Sequence, residues 1–195
     1  MTDLADQVAA LAAEVTRLRD HEAIRQAVYA YARGVDRGDA TLLDPAFHDD
    51  AEDDHGNFRG SKADAMAALA KSAANPAVTA SVHHIGNILI DLRGDVADVE
   101  TYCMASQRRE EDGRLWTRMR VGRYLDHFVK RDGAWRVLSR KVIDDWSRLD
   151  EVVQTAREVG AENNHCSRGP DDPSHAVAGF ADLHRHPHAR RSSED

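Results

Sequence analysis

An aspartate and two adjacent histidines have the clearest capacity for chemistry in this sequence. Asp36 lies near the end of a helical pattern, and His83 and His84 lie in a run typical of a β-strand. Folding can bring a carboxylate onto an imidazole, and such a pair acts as a general base near neutral pH. The carboxylate fixes the ring tautomer and stabilises the imidazolium that forms when a substrate proton is taken. These residues predict an enzyme that uses no metal and no other cofactor.

Only one of the two histidines can serve a single pocket, because successive side chains of a strand point to opposite faces of the sheet. The alternating residues that include His84 are the more apolar set, whereas those that include His83 are mixed. A curved sheet can bury both faces, one on a pocket and one on a partner subunit. Alternation alone therefore leaves the choice open.

Composition favours a single domain with additional segments at its ends. The chain has 195 residues with 42% hydrophobic content, which is enough for one sizeable core. We expect an N-terminal helix over residues 1–19, a domain over 20–148 and a C-terminal extension over 149–195. The extension beyond about Gly160 is rich in Ser, Pro, Asp, His and Arg, so we expect it to be poorly ordered.

Charge and hydropathy narrow the classes of partner. The formal net charge of -8 argues against a nucleic-acid-binding protein, which needs clustered Lys and Arg to contact phosphates. We find neither a leader-like apolar segment nor a long uncharged apolar run, so we expect a cytoplasmic protein that does not enter membranes. A small molecule is the expected partner, and no Gly-rich loop suggests that it carries a phosphate.

The first 40 residues predict two helices. An apolar stripe recurs at alternating steps of four and three, formed by Leu4, Val8, Leu11, Val15 and Leu18. We expect this helix to lie on the domain, with a dimer seam as the alternative. The second helix has Ile24, Val28, Tyr31 and Val35 on one face, and Gly34 and Gly38 mark its end.

The rest of the core region predicts one helix and an antiparallel meander. Ser61 is a good N-cap for a helix that runs through Ala74. Four strand-like runs follow, separated by turns at Gly94-Asp95, Asp112-Gly113 and Asp132-Gly133, which are typical of hairpins. Helices first and strands later is the α+β order. The acidic run over residues 48–55 lacks the ordered spacing of a calcium loop and is expected to be a solvated loop.

The remaining candidate groups are expected to be inert. His184, His186 and His188 alternate in the tail and could chelate a metal only weakly, so we assign no metal site. Cys103 and Cys166 have no motif spacing and are expected to stay reduced.

Several segments together resemble the SnoaL-like proteins of the superfamily that includes nuclear transport factor 2, scytalone dehydratase, bile acid 7α-dehydratase and hexachlorocyclohexane dehydrochlorinase. The resemblance spans roughly residues 5 to 147. Its segments are residues 22–26, Tyr31, residues 35–39, 82–87, 122–126 and 132–137, and the stretch from Arg140 through Asp145-Trp146. It implies a cone-shaped α+β barrel, in which N-terminal helices close a curved antiparallel sheet around an apolar pocket.

The resemblance also implies a set of site residues. In the dehydratase and dehydrochlorinase branches the base is a His four residues before an Asn, and it pairs with an Asp at a helix end; here these are His83 and Asp36. By the same resemblance, Arg140 falls on an arginine of the site and Tyr31 on a pocket-facing polar position. His84 is then expected to point away from the pocket.

The function that this resemblance implies is a cofactor-independent, dehydratase-like lyase. Its substrate would be a hydrophobic alicyclic or polyketide-like molecule, and the protein would form a homo-oligomer. The alternatives are an isomerase of the ketosteroid-isomerase type and a non-catalytic small-molecule binding protein, because one fold hosts several functions. Candidate pocket-lining residues are Phe58, Tyr102, Trp116, Met119, Tyr124, Trp135 and Trp146.

Overall fold

The protein is described by a computed structural model, which covers residues 3–56, 58–153, 166–169 and 171–176. Three α-helices precede or interrupt the sheet in this part of the chain. They are α1 (Leu4–Arg37), α2 (Ala40–Leu43) and α3 (Lys62–Ala73). Two short 3-10 turns, Asp44–Ala46 and Pro173–Ala176, accompany them. No helix of the described ranges is long and apolar enough to cross a membrane.

Six strands form one curved sheet. They are β1 (Phe47–Asp54), β2 (Arg59–Ser61), β3 (Val78–Arg93), β4 (Val96–Glu111), β5 (Arg114–Arg131) and β6 (Ala134–Glu151). The strand order is β2-β1-β6-β5-β4-β3, so β3 to β6 form the predicted antiparallel meander. β1 pairs with β6 in the parallel direction, which the expectation of a wholly antiparallel sheet missed. The sheet does not close on itself, but the α+β class is confirmed.

The predicted turns connect β3 to β6. Asp112 and Gly113 have φ angles of 53° and 71°, and Asp132 and Gly133 have 52° and 76°. Two consecutive residues with positive φ are what a two-residue type I′ hairpin requires, and Asp-Gly tolerates both. The sequence therefore located the hairpins correctly.

Helix α1 is a single continuous helix of 34 residues, so the prediction of two separate helices was wrong. No Gly or Pro lies between Leu18 and Ile24, and nothing there interrupts the backbone hydrogen bonds. The helix ends at Gly38 in the left-handed conformation, with φ of 65°. The N-terminal apolar stripe is exposed, from 42% at Val15 to 72% at Leu4, and does not lie on the domain as expected.

The acidic run over residues 48–55 is mostly strand, not the solvated loop that its composition suggested. Phe47 and Ala51 are buried on the inner side of β1, whereas Asp49, Asp50 and Glu52 face water. Exposed acids on one face are compatible with a half-buried strand. Ser61 caps α3 as predicted, in a reciprocal capping box with Asp64.

The core lies between α1 and the inner face of the sheet. Ile24, Val28 and Tyr31 of α1 pack with Phe47, Phe128 and Val137 from the strands. Of the aromatic residues proposed to line a pocket, Trp135 is instead part of this core, and its indole donates to Asp20. Tyr102 and Trp146 are exposed, so the expectation was wrong for all three.

Part of the C-terminal extension packs against the domain, contrary to the expectation of disorder. The Gly169 amide donates to the Arg37 carbonyl at the end of α1 (2.8 Å), and Arg37 pairs with the buried Asp172 (3.4 Å). The alternating histidines at 184–188 lie outside the described residues.

Candidate active site

The structure brings Asp36 and His83 into direct contact. His83 Nδ1 lies 2.6 Å from Asp36 Oδ1, and the main-chain amide of His83 donates to Asp36 Oδ2 (2.8 Å). The Ser81 hydroxyl donates to Oδ1 (3.1 Å). The carboxylate thus engages His83 twice, which fixes both the strand and the ring against the last turn of α1. It leaves Nε2 as the ring nitrogen available to a ligand.

A β-bulge explains why alternation did not select the inward histidine. The pairing of β3 with β4 shifts between Ile85 and Ile88, so one extra residue changes which side chains face inward. Ile85 and Ile88 therefore both pack on the core, although they are an odd number of positions apart. His83 shares the inner face with Ile85, and His84 is exposed on the outer face.

Asp36 stays ionised in this environment. Burial alone raises the pKa of its carboxyl group, but the hydrogen bonds and charge of His83, with the Ser81 hydroxyl, outweigh burial and lower the pKa below the ordinary value of 3.8. An ionised carboxylate on Nδ1 requires a proton there, so Nε2 of the neutral ring is the acceptor. The pair has the arrangement of a general base.

A cavity of 170 Å³ lies beside His83, between the sheet and the helices. Its apolar lining comes from α1, α3 and the inner faces of β4 and β6. These residues are Val35, Leu69, Cys103, Ala105 and Val142. A cavity of about 150 Å³ holds a benzene molecule in another protein, so this space is of the size of one six-membered ring.

Tyr31 lines the cavity from α1 and is 2% exposed. Its ring packs edge-on against Phe47 and Tyr124, with centroid distances of 5.7 and 5.9 Å. Burial raises the pKa of Tyr31 to about 12, although the charge of Arg140 opposes the rise. Tyr31 is therefore a neutral phenol at pH 7 and can donate a hydrogen bond. Tyr124 also lines the cavity, and its hydroxyl accepts from the Cys103 thiol (3.3 Å).

Arg140 is buried beside the cavity but is not among its lining residues. Two of its nitrogens donate to Asp126, each at 2.7 Å, and its guanidinium lies 4.1 Å from the Tyr31 ring centroid and 4.5 Å from that of Tyr124. Burial alone lowers the pKa of Arg140, but the adjacent Asp126 carboxylate holds it well above the ordinary value. The geometry gives Arg140 contact with the aromatic wall and not with the cavity itself.

His55 is a cavity residue that the sequence analysis missed. It follows β1, lines the cavity, and its Nε2 lies 3.1 Å from Oδ2 of Asp53, which is 1% exposed. From sequence alone the acidic run is weighed only as a metal loop or a solvated loop, so neither residue is assigned to the active site there. The signal that could have identified them is the spacing of Ala51, Asp53 and His55 by two, which is the period of a strand face.

The more exposed part of the cavity lining is cationic. Arg120 binds Asp144 with two nitrogen–oxygen contacts of 2.7 Å from one guanidinium nitrogen. Arg118 also lines the cavity and is exposed. The cavity therefore has an apolar inner part and a polar approach, which is the usual design of a small-molecule site.

A third His–Asp pair, His127 with Asp98, lies on the outer face of the sheet at 2.7 Å. Its side chains are 37% and 56% exposed, so water competes with the contact and screens it. Among the described residues, no group of three or more His, Cys, Asp or Glu side chains is arranged to hold a metal ion. Of the three pairs, the histidines of two, His83 and His55, line the 170 Å³ cavity.

Family comparison agrees with this architecture. Residues 16–141 match the family described as the SnoaL-like domain, which is more than half of the chain. The chain belongs to the SnoaL-like domain family. No curated protein matches the sequence.

Solved structures share the fold of this SnoaL-like protein. A candidate scytalone dehydratase of Novosphingobium aromaticivorans has a TM-score of 0.62 at 20% identity, with 81% of this chain and 97% of that chain covered. The hexachlorocyclohexane dehydrochlorinase LinA-type3 of Novosphingobium barchaimii has a TM-score of 0.62 at 16% identity, covering 73% and 96%. A nuclear transport factor 2-like protein of Salmonella enterica has 0.57 at 15%, covering 67% and 92%. These likenesses confirm the expected fold and do not identify the reaction.

Proposed function

We propose that this SnoaL-like protein is a cofactor-independent lyase that eliminates water from a small cyclic substrate. The observation that carries the proposal is the double hydrogen bond between Asp36 and His83 at the wall of the 170 Å³ cavity. The ring is held in one tautomer, and Nε2 is free of Asp36. His83 would take a proton from the carbon next to an activating carbonyl group.

Tyr31 would stabilise the negative charge that develops on the carbonyl oxygen during proton removal. It is a neutral donor in the same cavity, buried where hydrogen bonds to an oxyanion are stronger than in water. Arg140 supports this role through Tyr31, because its guanidinium contacts the ring at 4.1 Å and its charge is balanced by Asp126. In this proposal Arg140 is a positioning residue.

The cavity limits the substrate to a compact molecule. Its volume of 170 Å³ matches a single ring, and its inner lining is apolar. An alicyclic substrate fits better than an extended polyketide-like one. The candidate scytalone dehydratase and the dehydrochlorinase share the fold, and an elimination is consistent with their names.

The test measures elimination from 3-hydroxycyclohexanone, a β-hydroxy ketone with one six-membered ring. Release of water gives a conjugated enone, which is followed by its ultraviolet absorbance. We expect His83→Gln to lower the rate by about 10²–10⁴-fold, the usual contribution of positioned acid–base catalysis. His84→Gln is the matched control, because His84 is adjacent to His83 but faces outward, and it should keep the wild-type rate.

Full activity of His83→Gln with an unchanged thermal transition would contradict the proposal. The isomerase alternative is tested with cyclohex-3-enone, which that activity converts to cyclohex-2-enone without releasing a leaving group. The binding-protein alternative predicts that either ketone is recovered unchanged after long incubation.

A further inference from the structure

We propose that His55 is a second catalytic histidine, which donates a proton to the departing hydroxyl group while His83 takes the proton from carbon. The inference rests on the proposed function and assigns the general acid that elimination of water needs besides the base. Hydroxide is a poor leaving group, so elimination of water needs proton donation to the oxygen as the bond to carbon breaks.

His55 is placed to act on the same ligand as His83, because both line the 170 Å³ cavity. Because the cavity is the size of one six-membered ring, the proposal places the two imidazoles at adjacent carbons of one bound molecule. Asp53 orients the His55 ring through Nε2 (3.1 Å). Nδ1 has no hydrogen-bond partner among the described residues and remains for the substrate.

Asp53 belongs to a buried row of charges across three strands. In the sheet register, Asp126 of β5 lies beside Arg140 of β6, which lies beside Asp53 of β1. Arg140 directs two nitrogens to Asp126, and its third, Nη1, is buried without a partner in the described part of the chain, as is Asp53 Oδ1. Two carboxylates and one guanidinium leave one net negative charge in this row, and the His55 ring contacts the row through Asp53.

The carboxylates beside the two histidines have different hydrogen-bond partners, which suits opposite roles in proton transfer. Asp36 accepts from the Ser81 hydroxyl and the His83 amide as well as the His83 ring, so neutral donors share its charge. Asp53 Oδ2 contacts the His55 ring, and Asp53 Oδ1 is buried without a hydrogen-bond partner in the described part of the chain. In the proposal the first ring takes the proton from carbon, and the second ring, beside the carboxylate with fewer donors, gives a proton to the leaving oxygen.

The step balances without any further reactant. The electrons of the carbon–hydrogen bond form the new carbon–carbon double bond, and the proton goes to His83 Nε2. The electrons of the carbon–oxygen bond leave with oxygen, which takes the proton of His55 Nδ1 and departs as water. Loss of one proton from His83 to solvent and gain of one by His55 restore the starting state.

The test compares two probes that differ only in the leaving group. 3-Hydroxycyclohexanone needs a proton on its departing oxygen, whereas 3-chlorocyclohexanone releases chloride without one. We expect His55→Gln to slow enone formation from the hydroxy ketone by about 10²-fold or more and from the chloro ketone by less than about threefold. Asp53→Asn should show the same selective loss, because Asp53 acts through His55.

His48→Gln is the matched control, since His48 lies on β1 and contacts the Val129 carbonyl (2.9 Å) away from the cavity. It should leave the ratio of the two rates unchanged. Equal losses on both probes in His55→Gln, or no loss on either, would overturn the inference while the proposed function stands. A wild-type protein that eliminates neither leaving group above the buffer rate would overturn the proposed function, and this inference with it.

Discussion

Asp36 connects the candidate active site to the packing of a helix on the sheet. It lies in the last turn of α1, and its carboxylate binds both the ring and the main chain of His83 on β3. The same contact therefore orients the proposed base and ties helix to sheet. Loss of the charge on Asp36 should affect activity and stability together.

We predict that part of the stability conferred by Asp36 disappears in acid. Its pKa is lower in the folded protein than the ordinary 3.8, so the ionised carboxylate stabilises the folded state fully above that value. The contribution is lost as the pH falls through the lowered folded-state pKa. The measurement is the free energy of unfolding of wild type and Asp36→Asn as a function of pH.

The difference between the two proteins should be constant near neutral pH and shrink below about pH 3.8. Asn at position 36 has no carboxyl proton to take up, which makes it the matched reference for the titration. A difference that stays constant down to pH 2 would contradict the interpretation.

At the residue scale, the sequence predicted Asp36, His83 and Tyr31 as site residues, and the structure places them at one cavity with His55, which was not predicted. The choice of His83 over His84 came from the family resemblance. Alternation could not make it, because the bulge between Ile85 and Ile88 changes which side chains face inward and mixes the two apolar sets. The acidic residues around His55 favoured the prediction of a loop over that of a strand. Arg140 was identified as a site residue, but its pairing with Asp126 depends on the register of β5 and β6, which local sequence does not determine.

Elements were predictable where local chemistry determines them. Ser61 gave the start of α3, and the Asp-Gly pairs gave the hairpins, because both depend on a few adjacent residues. Strand β1 was not predictable, since its burial depends on a parallel pairing with residues of β6 that are 87 to 90 positions away in sequence. The docking of residues 166–176 likewise depends on groups at the distant end of α1.

We predict that Asp172 holds this C-terminal segment in place. Its carboxylate accepts from Ser174 and the Ser167 amide and pairs with Arg37. Burial alone raises the pKa of Asp172, but these hydrogen bonds and the charge of Arg37 lower it to about 2. Asp172→Asn should release the segment at neutral pH. Hydrogen exchange should then accelerate at Gly169, whose amide donates to the Arg37 carbonyl.

Asp171→Asn is the control, since Asp171 is the exposed neighbour and should leave exchange unchanged. In wild type the carboxylate of Asp172 should hold the segment above about pH 3.8 and lose its effect as the pH falls towards 2. Equal exchange rates in Asp172→Asn and wild type at pH 7 would show that other contacts hold the segment.

At the scale of the whole molecule, the outer face of the sheet exposes several large apolar side chains. They are Val82, Leu89, Tyr102, Met104, Leu125 and Trp146, each at least 36% exposed. An exposed apolar surface of this kind favours association. We propose that a second copy of the chain covers it. The expectation of a homo-oligomer from the sequence is consistent with this surface.

Light scattering tests this prediction by measuring the mass of the protein in solution. Met104→Glu places a charge in the middle of the face and should reduce the mass to that of one chain, 21.6 kDa. Val8→Glu changes an exposed residue of the N-terminal stripe and should leave the oligomer intact. Dissociation by Val8→Glu alone would assign the contact to the stripe and contradict the proposal.

The central claim is that His83, held by Asp36, removes a proton from carbon. It is tested most directly by exchange of the α-hydrogens of cyclohexanone for deuterium in D₂O, followed by ¹H NMR, because exchange requires the base but no leaving group. We expect exchange above the buffer rate with wild type and His84→Gln, and its loss with His83→Gln and Asp36→Asn. Equal exchange by wild type and His83→Gln would contradict the account.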